Sequence, residues 1–188
     1  MKNHTVSYIE TLTNVLKSID TKKIDLLKGK IKKLIGSEKT LFLCGNGGSA
    51  ATASHMACDL SKTILGKKPR ENTKRLRVIC LNDSIPIMTA WANDEGFEFV
   101  FSEQLRSLGK RGDLLVVITG SGNSKNIVEV VEEAKKLGIE TFGLIGFDGG
   151  KVKKVVDDCI LVNSFDYGIV EDAHHSLNHL ITDYLYTP

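Results

Sequence analysis

Two stretches of the sequence carry side chains that can move protons or bind a metal ion. His55 and Asp59 lie four residues apart in "SHMACDL", and Glu171, His175 and His179 follow at four-residue intervals in "IVEDAHHSLNHLI". Residues four apart share one face of a helix. A carboxylate and a histidine can divide general acid–base work, in which one removes a proton next to a carbonyl and the other protonates the neighbouring oxygen. Two histidines and two carboxylates can equally bind a divalent metal ion such as zinc.

The spacing in the second stretch leaves the choice of metal ligands open. Along a straight helix Glu171 and His179 lie about 12 Å apart. They can reach one metal ion only if their side chains lean together or Glu171 precedes the regular helix; otherwise His175 is the better-placed ligand. Structural roles are the alternatives, since Asp59 can pair with Lys62 one turn away.

Two glycine-rich stretches, "CGNGGSA" and "TGSGNSKN", each follow an apolar run and precede a helical pattern. Glycines let the backbone approach a ligand closely, and Asn46 and Ser49 add side-chain hydrogen bonds in the first stretch. The second stretch offers three hydroxyls at a helix start, those of Thr119, Ser121 and Ser124. Hydroxyls and free amides at a helix N-terminus suit a phosphate monoester. Both stretches lack the Gly-Lys-Ser/Thr of a nucleotide-hydrolysing P-loop, so we do not expect that activity.

Strands and helices must hold these stretches in place, and the order of the strand and helix patterns along the sequence predicts the fold. Five runs are apolar at nearly every position, as in strands covered on both faces: 41–45, 76–82, 113–120, 140–147 and 158–163. Helical patterns lie between or after them, near 49–64, 85–93, 97–107, 123–137 and 169–185. The alternation predicts a doubly wound parallel α/β sheet of five strands. Residues 1–188 are expected to form a single domain, in which oligomerisation helices over 1–35, broken near Asp20, precede an α/β core over 36–188.

Composition narrows the functional classes. The 188 residues are 41% hydrophobic and 26% charged, which suits one compact core. A net charge of +2 gives no reason to expect a nucleic-acid partner. The sequence has no apolar stretch of membrane-spanning length and no secretion signal, so we expect a cytoplasmic protein that does not bind membranes. The four scattered cysteines predict neither a disulfide framework nor a zinc ribbon.

Taken together, "CGNGGSA…H", "NDEGFEFVFSEQL", "GDLLVVITGSGNSKNIVEVVEEAKKLG" and the spaced histidines of the last helix resemble the sugar isomerase (SIS) domain family. Within that family they resemble the phosphoheptose isomerases, also called sedoheptulose-7-phosphate isomerases. The resemblance covers nearly the whole chain. It implies a flavodoxin-like, three-layer αβα sandwich and a homotetramer whose active sites lie at subunit interfaces.

The resemblance also implies roles for residues. The family's substrate-binding residues fall on Asn46, Gly47, Gly48, Ser49, Asp59, Asn93, Asp94, Thr119, Gly120, Ser121, Ser124 and Glu171. Its His-x-x-x-Glu motif falls on His55 and Asp59, and its Gln…His pair falls on Glu171 and His179. Asp59 is therefore the expected general base, and His179 is its expected acid–base partner. One zinc ion per subunit is expected at His55, Asp59, Glu171 and His179.

The chain departs from the family pattern at three positions. Asp59 replaces the usual Glu and is one methylene shorter, Glu171 replaces the usual Gln, and His175 stands where the family usually has an apolar residue. A shift of this size in a carboxylate matters for catalysis.

The implied reaction is the conversion of sedoheptulose 7-phosphate to D-glycero-D-manno-heptose 7-phosphate through an enediol, which supplies heptose for lipopolysaccharide or capsule. Two alternatives remain: an isomerase of another phosphosugar, and a non-catalytic SIS-domain protein that binds a sugar phosphate or a protein partner. Retained His55 and His179 favour an enzyme, whereas Asp59 in place of Glu keeps the non-catalytic alternative open.

Overall fold

The computed structural model describes residues 3–66, 71 and 73–186. Its sheet consists of β1 (Thr40–Gly45), β2 (Arg77–Cys80), β3 (Leu114–Thr119), β4 (Glu140–Gly146) and β5 (Asp158–Val162). All neighbouring strands pair in parallel, in the order β2-β1-β3-β4-β5. The prediction of five parallel strands is confirmed.

Helices cover both faces of the sheet. They are α1 (His4–Ser18), α2 (Thr21–Leu34), α3 (Gly48–Ser61), α4 (Ile85–Asp94), α5 (Ser102–Leu108), α6 (Lys125–Leu137), α7 (Val152–Val155) and α8 (Tyr167–Leu185). The predicted break between the first two helices is present, because the Asp20 side chain accepts a hydrogen bond from the Lys22 amide and so begins α2.

Alternate residues of each central strand enter two separate cores. Leu41 and Leu43 of β1 belong to the core formed with α2, α3 and α8, whereas Phe42 and Cys44 belong to the core formed with α5, α6 and α7. All four are fully buried. Full burial of a leucine or phenylalanine side chain contributes about 1.5–3 kcal/mol. The predicted three-layer sandwich is therefore confirmed, with helices on both faces of a sheet buried at its centre.

The structure differs from the predicted elements in two places. The helix expected over 97–107 is divided into a 3-10 turn, Phe97–Phe99, and α5. The turn follows Gly96 at a φ of 125°, and the break lets Val100 and Phe101 both enter the core. The short helix α7 was not predicted, since four residues are too few to show a helical period.

The strand order places two loops side by side. In an order of 2-1-3-4-5 the connections after β1 and β3 leave in opposite directions, and ligands bind in the crevice at this switch point. Gly45 at the end of β1 lies opposite Ile118 near the end of β3. The two glycine-rich stretches therefore meet at the carboxyl edge of the sheet.

Two helices remain largely uncovered. Neither α1 nor α4 has a buried residue. Ile9 is 58% exposed on α1 and Ile85 is 70% exposed at the start of α4. Across the described ranges, every helix is too short or too polar to span a membrane.

Candidate active site

The first glycine-rich stretch forms a tight turn, Gly45–Ser49, which we call the glycine turn. Gly47 has a φ of 55°, a conformation that favours glycine, and α3 begins at the next residue. Asn82, which follows β2, fixes the start of the turn: its amide group accepts from the Gly45 N–H at 3.1 Å and donates to the Gly45 carbonyl at 2.9 Å. Gly47 and Gly48 are exposed, and so can contact a ligand.

The second stretch, Thr119–Ser124, forms what we call the hydroxyl loop. Gly122 has a φ of 66°, and a Cβ there would overlap the Gly149 carbonyl oxygen. The Gly122 N–H donates to Thr119 Oγ1 at 3.2 Å, and the Gly122 carbonyl accepts from Val152 N–H at 2.9 Å. Ser124 is the N-cap residue of α6, and its hydroxyl caps no amide of that helix. The hydroxyl and the first amides of α6 are thus available to an anion.

A reciprocal pair of side chains joins the two loops. Asn46 donates its amide to Asn126 Oδ1 at 2.9 Å, and Asn126 donates to Asn46 Oδ1 at the same distance. Asn126 lies in the first turn of α6 and is buried. Two hydrogen bonds in a half-buried place fix the loops relative to each other.

Three imidazoles form a cluster where α3 and α8 pack together. The ring of His55 on α3 lies 4.6 Å from that of His175 and 5.1 Å from that of His179, and the latter two rings are 4.8 Å apart. One ligand nitrogen from each residue lies within 4.8 Å of the others. We call these three residues the histidine cluster. Imidazoles at such distances suit a transition-metal ion.

Asp59 lies beneath the histidine cluster and is firmly held. Its Oδ2 is 3.3 Å from His55 Nε2 and 3.9 Å from His179 Nε2. The same oxygen accepts from the buried Asn178 amide at 3.0 Å, and Oδ1 accepts from the Thr63 hydroxyl at 3.0 Å. The carboxylate therefore has a fixed orientation, with Oδ2 directed at the imidazoles.

Glu171 lies elsewhere on α8. Its carboxylate covers Gly48, where a Cβ would collide with it. It makes no hydrogen bond within the described residues, although the N-terminus of α3 favours a negative charge at this point. The structure thus places the unpaired Glu171 carboxylate against the glycine turn rather than within the histidine cluster.

The helix α8 runs past the whole site. Tyr167 in its first turn packs against Gly120 of the hydroxyl loop, Glu171 covers the glycine turn, and His175 and His179 meet His55. These four residues of α8 follow at four-residue intervals and so share one face. One helix face therefore links a candidate phosphate site to a candidate acid–base or metal site.

Burial affects two of the α8 imidazoles. His174 is buried, and desolvation lowers the pKa of its imidazole to about 4. The nearby Ile145 backbone acts to raise this pKa, but neither ring nitrogen of His174 forms a hydrogen bond with it. At His175, burial and then the neighbouring His55 and His179 lower the pKa of the imidazole. Both rings therefore favour the neutral form, and the neutral form is the one that binds metals.

The predicted pair Asn93 and Asp94 lies at the end of α4. Both are exposed, and Asn93 donates to Asp94 Oδ1 at 2.7 Å. Among the described residues of this chain, neither forms a hydrogen bond to the glycine turn, the hydroxyl loop or the histidine cluster. Within one chain the structure brings the other predicted residues to the site but not this pair.

Sequence reasoning missed several residues that support the site, namely Asn82, Asn126, Asn178 and Thr63. Asn178 stands immediately before His179 at a position of the helix that faces the core, and a polar residue there is the signal that could have revealed it.

The comparisons with known proteins agree with one another. Residues 7–146 match the SIS domain family. A phosphoheptose isomerase from Helicobacter pylori (strain HPAG1) is 39% identical over 178 residues, which cover 95% of this chain and 90% of that protein. One from a Nitratiruptor species is 40% identical over 145 residues, which cover 77% of this chain and 75% of that protein.

Solved structures give the same result. The phosphoheptose isomerase of Neisseria gonorrhoeae superposes with a TM-score of 0.85 at 29% identity, and that of Francisella tularensis with 0.87 at 27% identity. Each alignment covers 97% of this chain and 94% of the other. The likeness in sequence and fold thus extends over nearly the whole chain.

Proposed function

The chain belongs to the SIS domain family and, within it, to the phosphoheptose isomerases, and we propose that it converts sedoheptulose 7-phosphate to D-glycero-D-manno-heptose 7-phosphate. The family resemblance inferred from the sequence is confirmed. The observation that carries the proposal is the layout along α8, where one helix face passes the hydroxyl loop, the glycine turn and the histidine cluster in turn. An extended sugar phosphate needs an anion site at one end and acid–base groups at the other.

In this proposal the hydroxyl loop binds the phosphate. The groups that do so are the hydroxyls of Thr119, Ser121 and Ser124 and the backbone around Gly120. The loop begins α6, a helix of 13 residues, whose N-terminus favours an anion. A cavity beside the loop is lined by three lysines, Lys151, Lys153 and Lys154, and one carboxylate, Asp148, and therefore carries a net positive charge.

The glycine turn is proposed to bind the sugar. Gly47 and Gly48 are exposed, so that hydroxyl groups can approach the backbone, and Asn46 and Ser49 flank them. Glu171 is close enough to Gly48 to accept hydrogen bonds from the same sugar. These contacts would hold the reacting carbons near the start of α3.

Isomerisation moves one proton between two carbons and one between two oxygens. We propose that Asp59 removes the proton from carbon 1 of the ketose and returns it to carbon 2, while His179 moves protons between the two oxygens of the enediol. Asp59 Oδ2 and His179 Nε2 lie 3.9 Å apart, so a substrate that reaches His179 also comes close to Asp59, whose side chain is 11% exposed. The His179 side chain is 56% exposed and accessible to a substrate.

The donor set also fits the expected zinc ion, which we propose at one per subunit. Of the four expected ligands, His55, Asp59 and His179 lie together, whereas Glu171 lies at Gly48. Imidazole and carboxylate are both zinc donors. When bound, the ion would place positive charge beside the enediol oxygens and so stabilise negative charge that develops there.

Assembly into a homotetramer is part of the proposal. The uncovered apolar residues of α1 and α4, such as Ile9 and Ile85, suit burial against other copies of the chain. Asn93 and Asp94 end α4 without a hydrogen bond to the site of their own chain in the described residues. Both observations are consistent with sites that are completed at subunit interfaces. We further propose a cytoplasmic location and a role in heptose supply for lipopolysaccharide or capsule.

A turnover assay tests the proposal. The purified protein is incubated with sedoheptulose 7-phosphate, with and without added zinc, and aldose formation is followed. Turnover is expected, and Asp59→Asn and His179→Ala are each expected to lower kcat at least about 100-fold. Asp183→Asn and His4→Ala change exposed residues of the same types outside the site and should leave kcat unchanged.

The alternatives give different results in the same assay. Turnover of another phosphosugar but not of sedoheptulose 7-phosphate would retain the isomerase and reject the substrate. Binding of sugar phosphates without turnover of any, in protein saturated with zinc, would contradict the enzyme and favour a binding protein.

A further inference from the structure

We propose that the metal site of this chain uses three imidazoles, those of His55, His175 and His179, with Asp59 as the fourth donor, and that Glu171 is not a ligand. The inference deepens the metal site of the proposed function. It concerns ion binding alone, so it can be tested without any substrate.

The geometry of the histidine cluster supports His175 as a ligand. Its ring lies 4.6 Å from that of His55 and 4.8 Å from that of His179, so it is no farther from either than they are from each other at 5.1 Å. Each residue offers one nitrogen within 4.8 Å of the other two. In a tetrahedral zinc site with Zn–N distances of 2.0–2.1 Å, neighbouring nitrogens are about 3.4 Å apart.

The required contraction is small and the side chains have room for it. The side chains of His55 and His179 are 42% and 56% exposed, so both can turn without displacing core residues. His175 is half-buried between them and makes no hydrogen bond among the described residues. Its lone pair is therefore not engaged by another protein group.

Asp59 supplies the fourth donor and its neighbours keep it in place. Its Oδ2 is 3.3 Å from His55 Nε2, a separation close to that between ligands of one tetrahedral ion. The Asn178 amide at 3.0 Å and the Thr63 hydroxyl at 3.0 Å prevent the carboxylate from turning away. Such supporting hydrogen bonds orient metal ligands.

Glu171 lies apart from the histidine cluster and is not among the described residues whose ligand atoms lie together there. Its carboxylate lies against Gly48, the first residue of α3, whereas His55 follows seven residues later on that helix. Seven residues correspond to about 10 Å along a helix axis. The helices α3 and α8 run alongside each other in the same sense, since Glu171 meets Gly48 and Asn178 meets Asp59. Glu171 is therefore placed to contact the sugar, and His175 takes the place in the ligand set.

Metal affinity of two single variants tests this assignment. Apo protein is titrated with Co²⁺ and with Zn²⁺ against a chromophoric chelator, and the visible absorption of bound Co²⁺ reports its coordination geometry. His175→Ala is expected to weaken affinity about 100-fold or more and to change the Co²⁺ spectrum. Glu171→Gln is expected to change affinity less than about threefold and to leave the spectrum as in the unaltered protein, because it removes a charge but no ligand.

Controls separate ligand loss from misfolding. His4→Ala removes an exposed histidine of α1 and should bind as the unaltered protein does. His175→Gln keeps a polar side chain of similar size, and circular dichroism and the melting temperature show whether each variant is folded. A folded His175→Gln that keeps full affinity, or a Glu171→Gln that loses it, would overturn the proposal. So would failure of the unaltered protein to bind either ion at micromolar concentration. Binding as expected in a protein without isomerase activity would support the ligand set and count only against the proposed reaction.

Discussion

The hydroxyl loop and the histidine cluster, at opposite ends of the α8 face, are held in place by different means. The loop is shaped by backbone: a glycine at a φ of 66°, hydrogen bonds from main-chain amides, and a neighbouring carbonyl that leaves no space for a side chain. The cluster is shaped by side chains of two helices that are more than a hundred residues apart in the chain. A backbone-built site tolerates few substitutions at the glycines, whereas a side-chain-built site can exchange one ligand for another, as we infer for His175 and Glu171.

The largest expected effect tests how the backbone shapes the hydroxyl loop. Gly122→Ala should lower the free energy of unfolding by about 3 kcal/mol, because the new Cβ overlaps the Gly149 carbonyl and the residue keeps a positive φ. Gly47→Ala is the matched control, since Gly47 also has a positive φ but no atom within 4 Å of its Cβ position. It should cost only about 1–2 kcal/mol. Urea denaturation measures the free energy of unfolding of both variants. Equal losses of stability would mean that backbone strain alone, and not the contact with Gly149, causes the loss.

Addition of a metal ion tests the histidine cluster. At a zinc concentration 100 times its Kd, the protein should gain about 2.7 kcal/mol of stability, because the ion binds the folded chain. The gain should vanish in His55→Ala and persist in His4→Ala, and a chelator should reverse it. Thermal unfolding with and without zinc measures the effect. A gain that survives in His55→Ala would place the ion outside the histidine cluster.

The hydroxyl loop also depends on the anchoring of the helix that it begins. Glu133 on α6 forms hydrogen bonds with Arg106 of α5, and this guanidinium holds the pKa of the Glu133 carboxyl at about 2. Because the folded-state pKa is depressed, the stabilisation is complete above the unfolded pKa of about 4.5 and is lost as pH falls through about 2. Glu133→Gln should cost about 2 kcal/mol at pH 7.

The cost of Glu133→Gln should shrink as the pH falls from 4.5 to 2, since the protonated native side chain loses the same interaction. Unfolding measured at several pH values gives the difference between the two proteins. A difference that is constant with pH would show that the charge of Glu133 is not what anchors α6.

A smaller effect concerns the link between the two loops. Asn126→Ala removes both hydrogen bonds to Asn46 and should cost about 1–2 kcal/mol, since Asn126 is buried. It should also raise KM for the phosphosugar, because the glycine turn and the hydroxyl loop are no longer held together. In a double-mutant cycle with Asn46→Ala the two costs should not add. Additive costs would mean that the loops are positioned independently.

The smallest effect concerns the support of Asp59. Thr63→Val keeps the shape of the side chain but removes the hydroxyl that donates to Asp59 Oδ1 at 3.0 Å. Stability should fall by about 1 kcal/mol, and zinc affinity should fall about tenfold, because the carboxylate is less well oriented. Thr89→Val, which changes an exposed threonine on α4, should leave zinc affinity unchanged. An unchanged affinity in Thr63→Val would show that Asn178 alone positions Asp59.

The sequence by itself determined the strand–helix alternation, the two glycine-rich loops and the two histidine-bearing helices. Each of these depends on neighbouring residues: apolar runs form buried strands, glycines permit positive φ at Gly47 and Gly122, and four-residue intervals place His175 and His179 on one face. The order of the strands and helices along the chain was enough to predict the fold class, because short connections between them allow few topologies.

Only the tertiary structure decided which of those groups meet. The pairing of Asn46 with Asn126, the support of Asp59 by Asn178, and the placing of Glu171 at Gly48 instead of beside His55 all join segments 80 to 123 residues apart. Such contacts depend on how α8 packs along α3, including its register along that helix. No local pattern contains this register, because it is set by the shapes of the buried side chains between the two helices.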